Sequence, residues 1–275
     1  MNVHVTADFA AYDAAAHVFL EQEPVGNTVL LTIADMLRGG RAYDDEPPWF
    51  AWASDGDRVV GAACRTPPHL VAVATMPDFV ASSLGTALSD HELPGAVGRP
   101  ATVNAFALGA GRVATVRMRE LQHVLTAIVP PPVVGGEPRA YTPAERALYV
   151  EWMEAFHHEA GLLVQGDPIR SLEHRLASGG AVQLWWADGE PVCLAGRSAP
   201  VGGIPRVGPV FTPPAHRRRG YAAALTAHLC AEALAAGAVA CTLFADADNP
   251  TSNGVYERIG FTVVGTAVEA VFEQT

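Results

Sequence analysis

Between Arg217 and Phe261 the chain carries two groups of residues whose types and spacing could hold an anion and handle a proton. The first is Arg217-Arg218-Arg219-Gly220-Tyr221-Ala222. A strand-like run, Val207 to Thr212, precedes it, and an Ala/Leu-rich helical run, Tyr221 to Ala236, follows. Strand, glycine turn and helix start together make an anion site. The N–H groups of a helix's first turn have no partner inside the helix, and the helix dipole is positive there. Gly220 lets the backbone approach a phosphate closely, and Ala222 keeps that surface flat. An Arg-rich surface turn would look the same locally, so the second group matters. It runs Asn249-Pro-Thr-Ser252-Asn-Gly-Val-Tyr256 and on to Gly260-Phe261: a polar turn, a short helix and a tyrosine seven residues after the asparagine. Asn, Pro, Thr and Ser also suit a helix start, so Asn249 and Ser252 read equally well as caps. Tyr256 alone would read as a part-buried helix tyrosine; cap and ligand roles are compatible.

Around these residues the composition sets bounds. The chain has 275 residues, 49% of them hydrophobic, enough for two domains with real cores. A net charge of −11 disfavours nucleic acid and anionic membrane surfaces as partners, and three adjacent arginines do not reverse that. All 18 basic residues are Arg, which excludes a lysine nucleophile or Schiff base. The four cysteines (Cys64, Cys193, Cys230, Cys241) are scattered without a C-x-x-C; they support neither a disulfide framework nor a metal site. The N-terminus lacks a basic region followed by an apolar run, and no apolar stretch reaches the ~18 residues needed to span a membrane. The expectation is a soluble, cytoplasmic protein, monomer or homodimer.

The elements that must position the two groups follow from local signals. Helices are expected over 8–22, with Asp8 as N-cap, and over Thr28–Arg38, with Asn27 as a possible cap. Trp49–Ala53 and Arg58–Arg65 flank the hairpin turn Ser-Asp-Gly-Asp, and His69–Thr75 is a third strand. Pro77–Leu88 and Ala101–Leu108 read as helices joined by a Pro/Gly-rich loop, and Arg112–Leu121 alternates as a strand. Val129–Pro138 suits neither helix nor sheet interior. Thr142-Pro-Ala-Glu145 is a capping box that opens a helix to about Ala160. A helix over Pro168–Ser178, a hairpin over Val182–Trp186 and Pro191–Ser198, and the strand Arg206–Thr212 follow. After the helix Tyr221–Ala236 come a buried strand (Ala240–Ala245), a helix (Ser252–Ile259) and strands at Phe261–Gly265 and Val268–Phe272. The two halves have like orders, which suggests a duplicated fold.

The C-terminal half resembles the GNAT superfamily of N-acetyltransferases. That family's cofactor signature, Gln/Arg-x-x-Gly-x-Gly/Ala, is matched by Arg217-x-x-Gly220-x-Ala222, and its Gly-Phe helix stop by Gly260-Phe261. The resemblance implies that Arg217, Arg218, Arg219, Gly220, Tyr221 and Ala222 hold the pyrophosphate of acetyl-CoA. It implies that Val210, Phe211 and Thr212 lie on a strand splayed from its neighbour and pair with the pantetheine arm. Asn249 and Ser252 would hold that arm near the thioester, and Tyr256 would protonate the departing thiolate. The match covers about residues 140–275. The whole chain looks like a tandem GNAT protein of α/β (α+β) class. Each domain would be a central, mostly antiparallel, twisted sheet flanked by helices: a degenerate copy over 1–128, a Pro/Gly-rich linker over 129–139, and the acetyltransferase domain over 140–275. Where the first copy should carry its phosphate loop it reads Val73-Ala-Thr-Met-Pro-Asp78-Phe-Val-Ala-Ser82, with a negative charge in place of the signature.

Acyl transfer to an amine needs the amine neutral and held against the thioester, a donor for the oxyanion and a proton for the sulfur. The implied function is acetyl-CoA-dependent N-acetylation of a primary amine on a small molecule or peptide, by direct transfer in a ternary complex, with no metal. The alternatives are a non-catalytic acyl-CoA sensor or interaction protein, or a transferase for another acyl group or acceptor. The general base is not visible. The strands Val182–Trp186 and Pro191–Ser198 carry no carboxylate, and Glu190 lies in a turn. His157, His158 and Glu159 end a helix, where a polar, dipole-compatible terminus is the simpler reading. His216, beside the loop, suits phosphate better than substrate. Trp185 and Trp186 must point to opposite faces of their strand, one into the core and the other free to line a cleft.

Overall fold

The computed structural model describes residues 1–40, 46–161 and 167–274. The first half runs β1 (Asn2–Thr6), α1 (Phe9–Glu21), α2 (Thr28–Arg38), β2 (Trp49–Asp55), β3 (Arg58–Arg65), β4 (Val71–Val73), α3 (Asp78–Ala87), β5 (Gly95–Gly98), α4 (Pro100–Gly109) and β6 (Arg112–Leu125). The second runs β7 (Glu137–Ala140), α5 (Arg146–Glu159), α6 (Pro168–Ala177), β8 (Ala181–Ala187), β9 (Glu190–Arg197), β10 (Val207–Phe211), α7 (Tyr221–Ala235), β11 (Cys241–Asp246), α8 (Pro250–Arg258) and β12 (Thr262–Gln274). Strand by strand and helix by helix, the two orders are the same.

The chain forms two compact units. One comprises Met1–Leu121 with Gly265–Thr275, the other Gln122–Val264. The boundary falls inside β6 and inside β12, so the units differ from sequence halves by an exchange of end strands. Within β12, residues 268–271 pair with β5, through Val268↔Gly98 to Val271↔Gly95. Two short terminal strands were expected; one long strand, β12, is found. The strand β5 lies where only a Pro/Gly-rich loop was expected, and β1 was not anticipated. Short, glycine-containing or terminal segments have little pattern of their own and become strands through the partner they meet.

In the first unit the strands run β1-β2-β3-β4-β5-β12-β6; β1–β2, β2–β3, β3–β4 and β5–β12 pair antiparallel and β4–β5 pairs parallel. Tyr12, Leu20, Leu31, Phe50, Leu84 and Phe106 are its large buried side chains. Asp8 caps α1 as expected, accepting from Ala10 N at 2.8 Å. Asn27 does not cap α2. Its amide donates to Leu20 O at 3.1 Å and its Oδ1 accepts from Thr75 N at 2.8 Å, tying the helix to the chain beyond β4.

In the second unit β10-β9-β8-β7 form an antiparallel sheet. The helices α5 and α6 cover one face, around Tyr149, Trp152, Leu172, Leu184 and Phe211. The helix α7 covers the other, around Trp185, Cys193, Tyr221, Leu225 and Leu229. The adjacent tryptophans point to opposite faces as alternation requires: Trp185 is in the α7 face and donates to Gly135 O at 2.9 Å, while Trp186 lies on the α5 face under the Arg139 guanidinium. Residues 129–136 form no regular element, and β7 begins at Glu137. The Thr142–Glu145 capping box is present, opening on one 3-10 turn before α5. Among the described residues, no helix is long and apolar enough to cross a membrane.

Candidate functional site

The residues expected to hold acetyl-CoA and to donate the proton lie in the second unit, on β10, the loop after it, and α7 and α8 with its N-cap. The strand β10 pairs with β9 through Val207↔Arg197, Val210↔Ala195 and Phe211↔Leu194, with an irregular register between Val207 and Val210. Among the described residues, one bridge toward β11, Arg206↔Thr242, lies just before β10, with Thr242 N donating to Pro205 O at 3.0 Å. Past that bridge the strands belong to different sheets. Among the described residues, no strand pairs with Val210 and Phe211 on that edge. Their backbone groups there are available to an extended ligand. Thr212 follows directly; its carbonyl accepts from Arg217 Nε at 2.8 Å.

A 3-10 turn at Pro214–His216 leads to the arginine loop. Arg218 (φ 62) and Gly220 (φ 87) are both left-handed. A left-handed arginine is strained by ~1–3 kcal/mol, and such strain concentrates where a loop must present its backbone in one way. Gly220 is the N-cap of α7, and no side chain caps that helix. Its first turn holds no acidic residue, and Arg217, Arg218 and Arg219, just before it, are exposed. A Cβ on Gly220 would meet Val134 Cγ1 at 2.9 Å, so no side chain fits there without displacement. Tyr221 is buried in the core beneath α7, and Ala222 is half-buried.

Two placements differ from the simplest reading of the motif. The Arg217 guanidinium is turned back, paired with Glu159 Oε2 at 2.5 Å and lying over the Phe211 ring. The end of α5 is thereby tied to the loop, a partner the sequence reading did not identify for Glu159. His216 Nε2 lies 3.9 Å from Glu190 Oε1, at the start of β9.

At the head of α8, Asn249 Oδ1 accepts from Ser252 N at 3.0 Å, the cap role anticipated for both. Tyr256 is 7% exposed and packs with Val207, Cys230, Leu243 and Phe261, with Val210 against the same cluster. Burial pushes its phenol above the ordinary value, and the Ser252 hydroxyl partly offsets that. The group therefore stays protonated at neutral pH, the form a proton donor needs. On β9, Cys193 is fully buried; Thr212 Oγ1 donates to its sulfur at 3.2 Å, and burial pushes its thiol up to about 12. A thiol so held is no nucleophile. His157 is held toward its neutral form by burial. Gln183, on β8, donates from Nε2 to Glu232 Oε2 at 2.8 Å, and its buried Oε1 has no partner.

One residue that the sequence reading passed over lies among these. Asn253 is 6% exposed, and its Nδ2 donates to Asp246 O at 2.9 Å, while its Oδ1 has no partner. The signal was present in the sequence, since a polar residue one turn before Tyr256 shares its helical face. Among the described residues no group of three or more His, Cys, Asp or Glu could hold a metal ion.

Residues 144–261 match the model of the acetyltransferase (GNAT) family. Among solved structures, a Drosophila protein is similar over 98% of this chain and 98% of its own, at 15% identity and a TM-score of 0.70. A GCN5-related N-acetyltransferase from Sphaerobacter thermophilus is similar over 99% of this chain and 95% of its own, at 18% identity and a TM-score of 0.63. An acetyltransferase of the GNAT family from Colwellia psychrerythraea is similar over 99% and 100%, at 11% identity and a TM-score of 0.62. At these identities the likeness is one of fold. No curated protein matches the sequence. The chain thus has the mixed α/β fold of these structures over nearly its whole length, and the family match over 144–261 supports acyl transfer in general.

Proposed function

We propose that this protein is an acetyl-CoA-dependent N-acetyltransferase that moves an acetyl group to a primary amine of a small molecule or peptide by direct transfer in a ternary complex. The observation that carries the reading is the open edge of β10 running straight into an acid-free, uncapped helix start at Gly220. Those two features suit the two ends of one ligand, an amide-containing arm and a pyrophosphate.

The residues fit such a cofactor. Val210, Phe211 and Thr212 offer backbone groups to the arm; the backbone from Arg217 to Ala222 holds the pyrophosphate, with Arg218 and Arg219 adding positive charge. Asn249 and Ser252 line the approach from α8. When bound, acetyl-CoA supplies an activated acetyl group as a thioester. The neutral amine forms the new C–N bond as the C–S bond breaks, and the Tyr256 phenol gives its proton to the departing sulfur. The amine loses one proton to solvent or to a base that this constellation does not identify, and Tyr256 regains one from solvent, so no net proton is gained or lost. Cys193, neutral and buried, offers no thiolate to carry the acetyl group, which favours direct transfer over an acyl-enzyme.

For the remainder of the chain we propose a degenerate, CoA-free copy over 1–128 and a linker over 129–139, with the transferase domain over 140–275. The identical element order of the two halves supports this. Calorimetric titration with acetyl-CoA tests the whole reading: one site per chain is expected. No binding would leave a scaffold role; binding without turnover across a library of amines would favour an acyl-CoA sensor.

A further inference from the structure

Arg217 stands where the chain leaves a 3-10 turn and enters the left-handed residues of the loop. Its guanidinium is engaged on three sides. Nε donates to Thr212 O at 2.8 Å, Nη2 donates to Glu159 Oε2 at 2.5 Å, and Cζ lies 5.9 Å from the centre of the Phe211 ring. The start of the loop is thereby fastened both to the end of β10 and to the end of α5. A guanidinium held in this way is turned from the anion site, and what it supplies is a fixed loop.

Glu159 provides the post for that fastening. It is the last residue of α5, and the helix is seated on β10 through Trp152, whose ring lies 6.0 Å from that of Phe211. An acidic side chain at a helix C-terminus opposes the dipole, which the preceding His157 and His158 suit. Helix chemistry therefore does not account for a carboxylate here, and Arg217 does. Both side chains are 42% exposed, so water screens the pair and it adds little to overall stability. Its effect is local. Arg218 (φ 62) and Gly220 (φ 87) keep the backbone in a strained shape that an unfastened arginine would leave.

We propose that Glu159 is a positioning residue that acts through Arg217 to hold the loop in its anion-binding form before the anion arrives. The proposal deepens the acetyl-CoA reading and rests on it. The sign of its effect separates it from simple electrostatics. Removing a carboxylate near an anion site tightens an anion by charge alone. Removing a fastening weakens it, because only molecules with the loop already in form can bind.

The test is calorimetric titration of the full chain with acetyl-CoA, on wild type, Glu159→Ala, Arg217→Ala and the double variant. Glu159→Ala is expected to weaken binding about five- to tenfold, as for a loop in its binding form in about a tenth to a fifth of molecules. Its Tm is expected to stay within about 3 °C of wild type, the scale of one exposed ion pair, so the chain remains folded and the loss is one of affinity. The double variant is expected to lose no more than the larger single loss, since the two residues act as one device. Unchanged or tighter binding by Glu159→Ala, or single losses that multiply in the double variant, overturns the role of Glu159 and leaves the acetyl-CoA reading standing. A wild-type chain that does not bind acetyl-CoA overturns that reading, and this inference with it.

Discussion

The same corner, strand into helix, occurs twice in this chain and is closed in one unit and open in the other. In the first unit β4 is paired on both edges, with β3 through Ala63↔Val73 and with β5 through Val71↔Ala96. The backbone just beyond it is also taken, because Asn27 Oδ1 accepts from Thr75 N, and Asp78 opens α3 with a negative charge. In the second unit β10 is paired with β9 and leaves β11 after one bridge; the loop carries three arginines, and α7 starts at a bare glycine. Element order is the same, and the supply of unpaired backbone differs. The proposed site rests on unsatisfied backbone beside positive charge, which the fold alone does not supply.

The largest effect expected on that contrast comes from closing the open corner. Gly220→Glu places a side chain against Val134, at a left-handed φ, and adds a negative charge to the helix start. Acetyl-CoA affinity should fall by about a hundredfold or more in calorimetry, on the scale of a lost charge-assisted phosphate site. Affinity within a few-fold of wild type would remove the loop from the cofactor site.

Next is the proposed proton transfer from Tyr256. Tyr256→Phe should lower kcat about tenfold or more while leaving acetyl-CoA affinity nearly intact. Because burial raises the Tyr256 phenol above its usual 10.0, the wild-type rate should show no alkaline decline from this group until the pH passes that value. Unchanged turnover in the variant would take the proton-donor role away from it.

Opening the closed corner should have a smaller and different effect. Asn27→Ala strips partners from Leu20 O and Thr75 N at a position that is 1% exposed. A stability loss of about 2 kcal/mol is expected by denaturant titration, with acetyl-CoA affinity unchanged. A parallel loss of affinity would mean that the first unit takes part in cofactor binding.

The smallest change concerns the charge alone. Asp78 is exposed, so Asp78→Asn should shift stability by less than about 0.5 kcal/mol and leave one acetyl-CoA per chain. A second binding site would show that charge, and not the paired backbone, silences the first corner.

Much of the site was legible because its signals are local. The Arg217–Ala222 turn, the Asn249 cap and the Thr142–Glu145 capping box depend on residues a few positions apart, and each is found in the structure. Asn27 shows where that logic fails. Its type suits a cap, yet two backbone groups from elsewhere in the fold compete for its amide and win. Arg217 is a second case: Glu159, distant in sequence, holds the guanidinium that the motif would aim at a phosphate.

Taken alone, the sequence determined the helices and the longer patterned strands, though not β1, β5 or β7, and the glycine turn that can hold an anion. All of these follow from backbone sterics and short-range hydrogen bonding. The tertiary structure decided which strands meet: that β12 joins β5, that β4 is paired on both edges, and that β10 parts from β11. It also decided that Asn253 would be buried with an acceptor to spare. Strand pairing and burial depend on groups far apart along the chain, and hydrogen-bond satisfaction is set only when those groups come together.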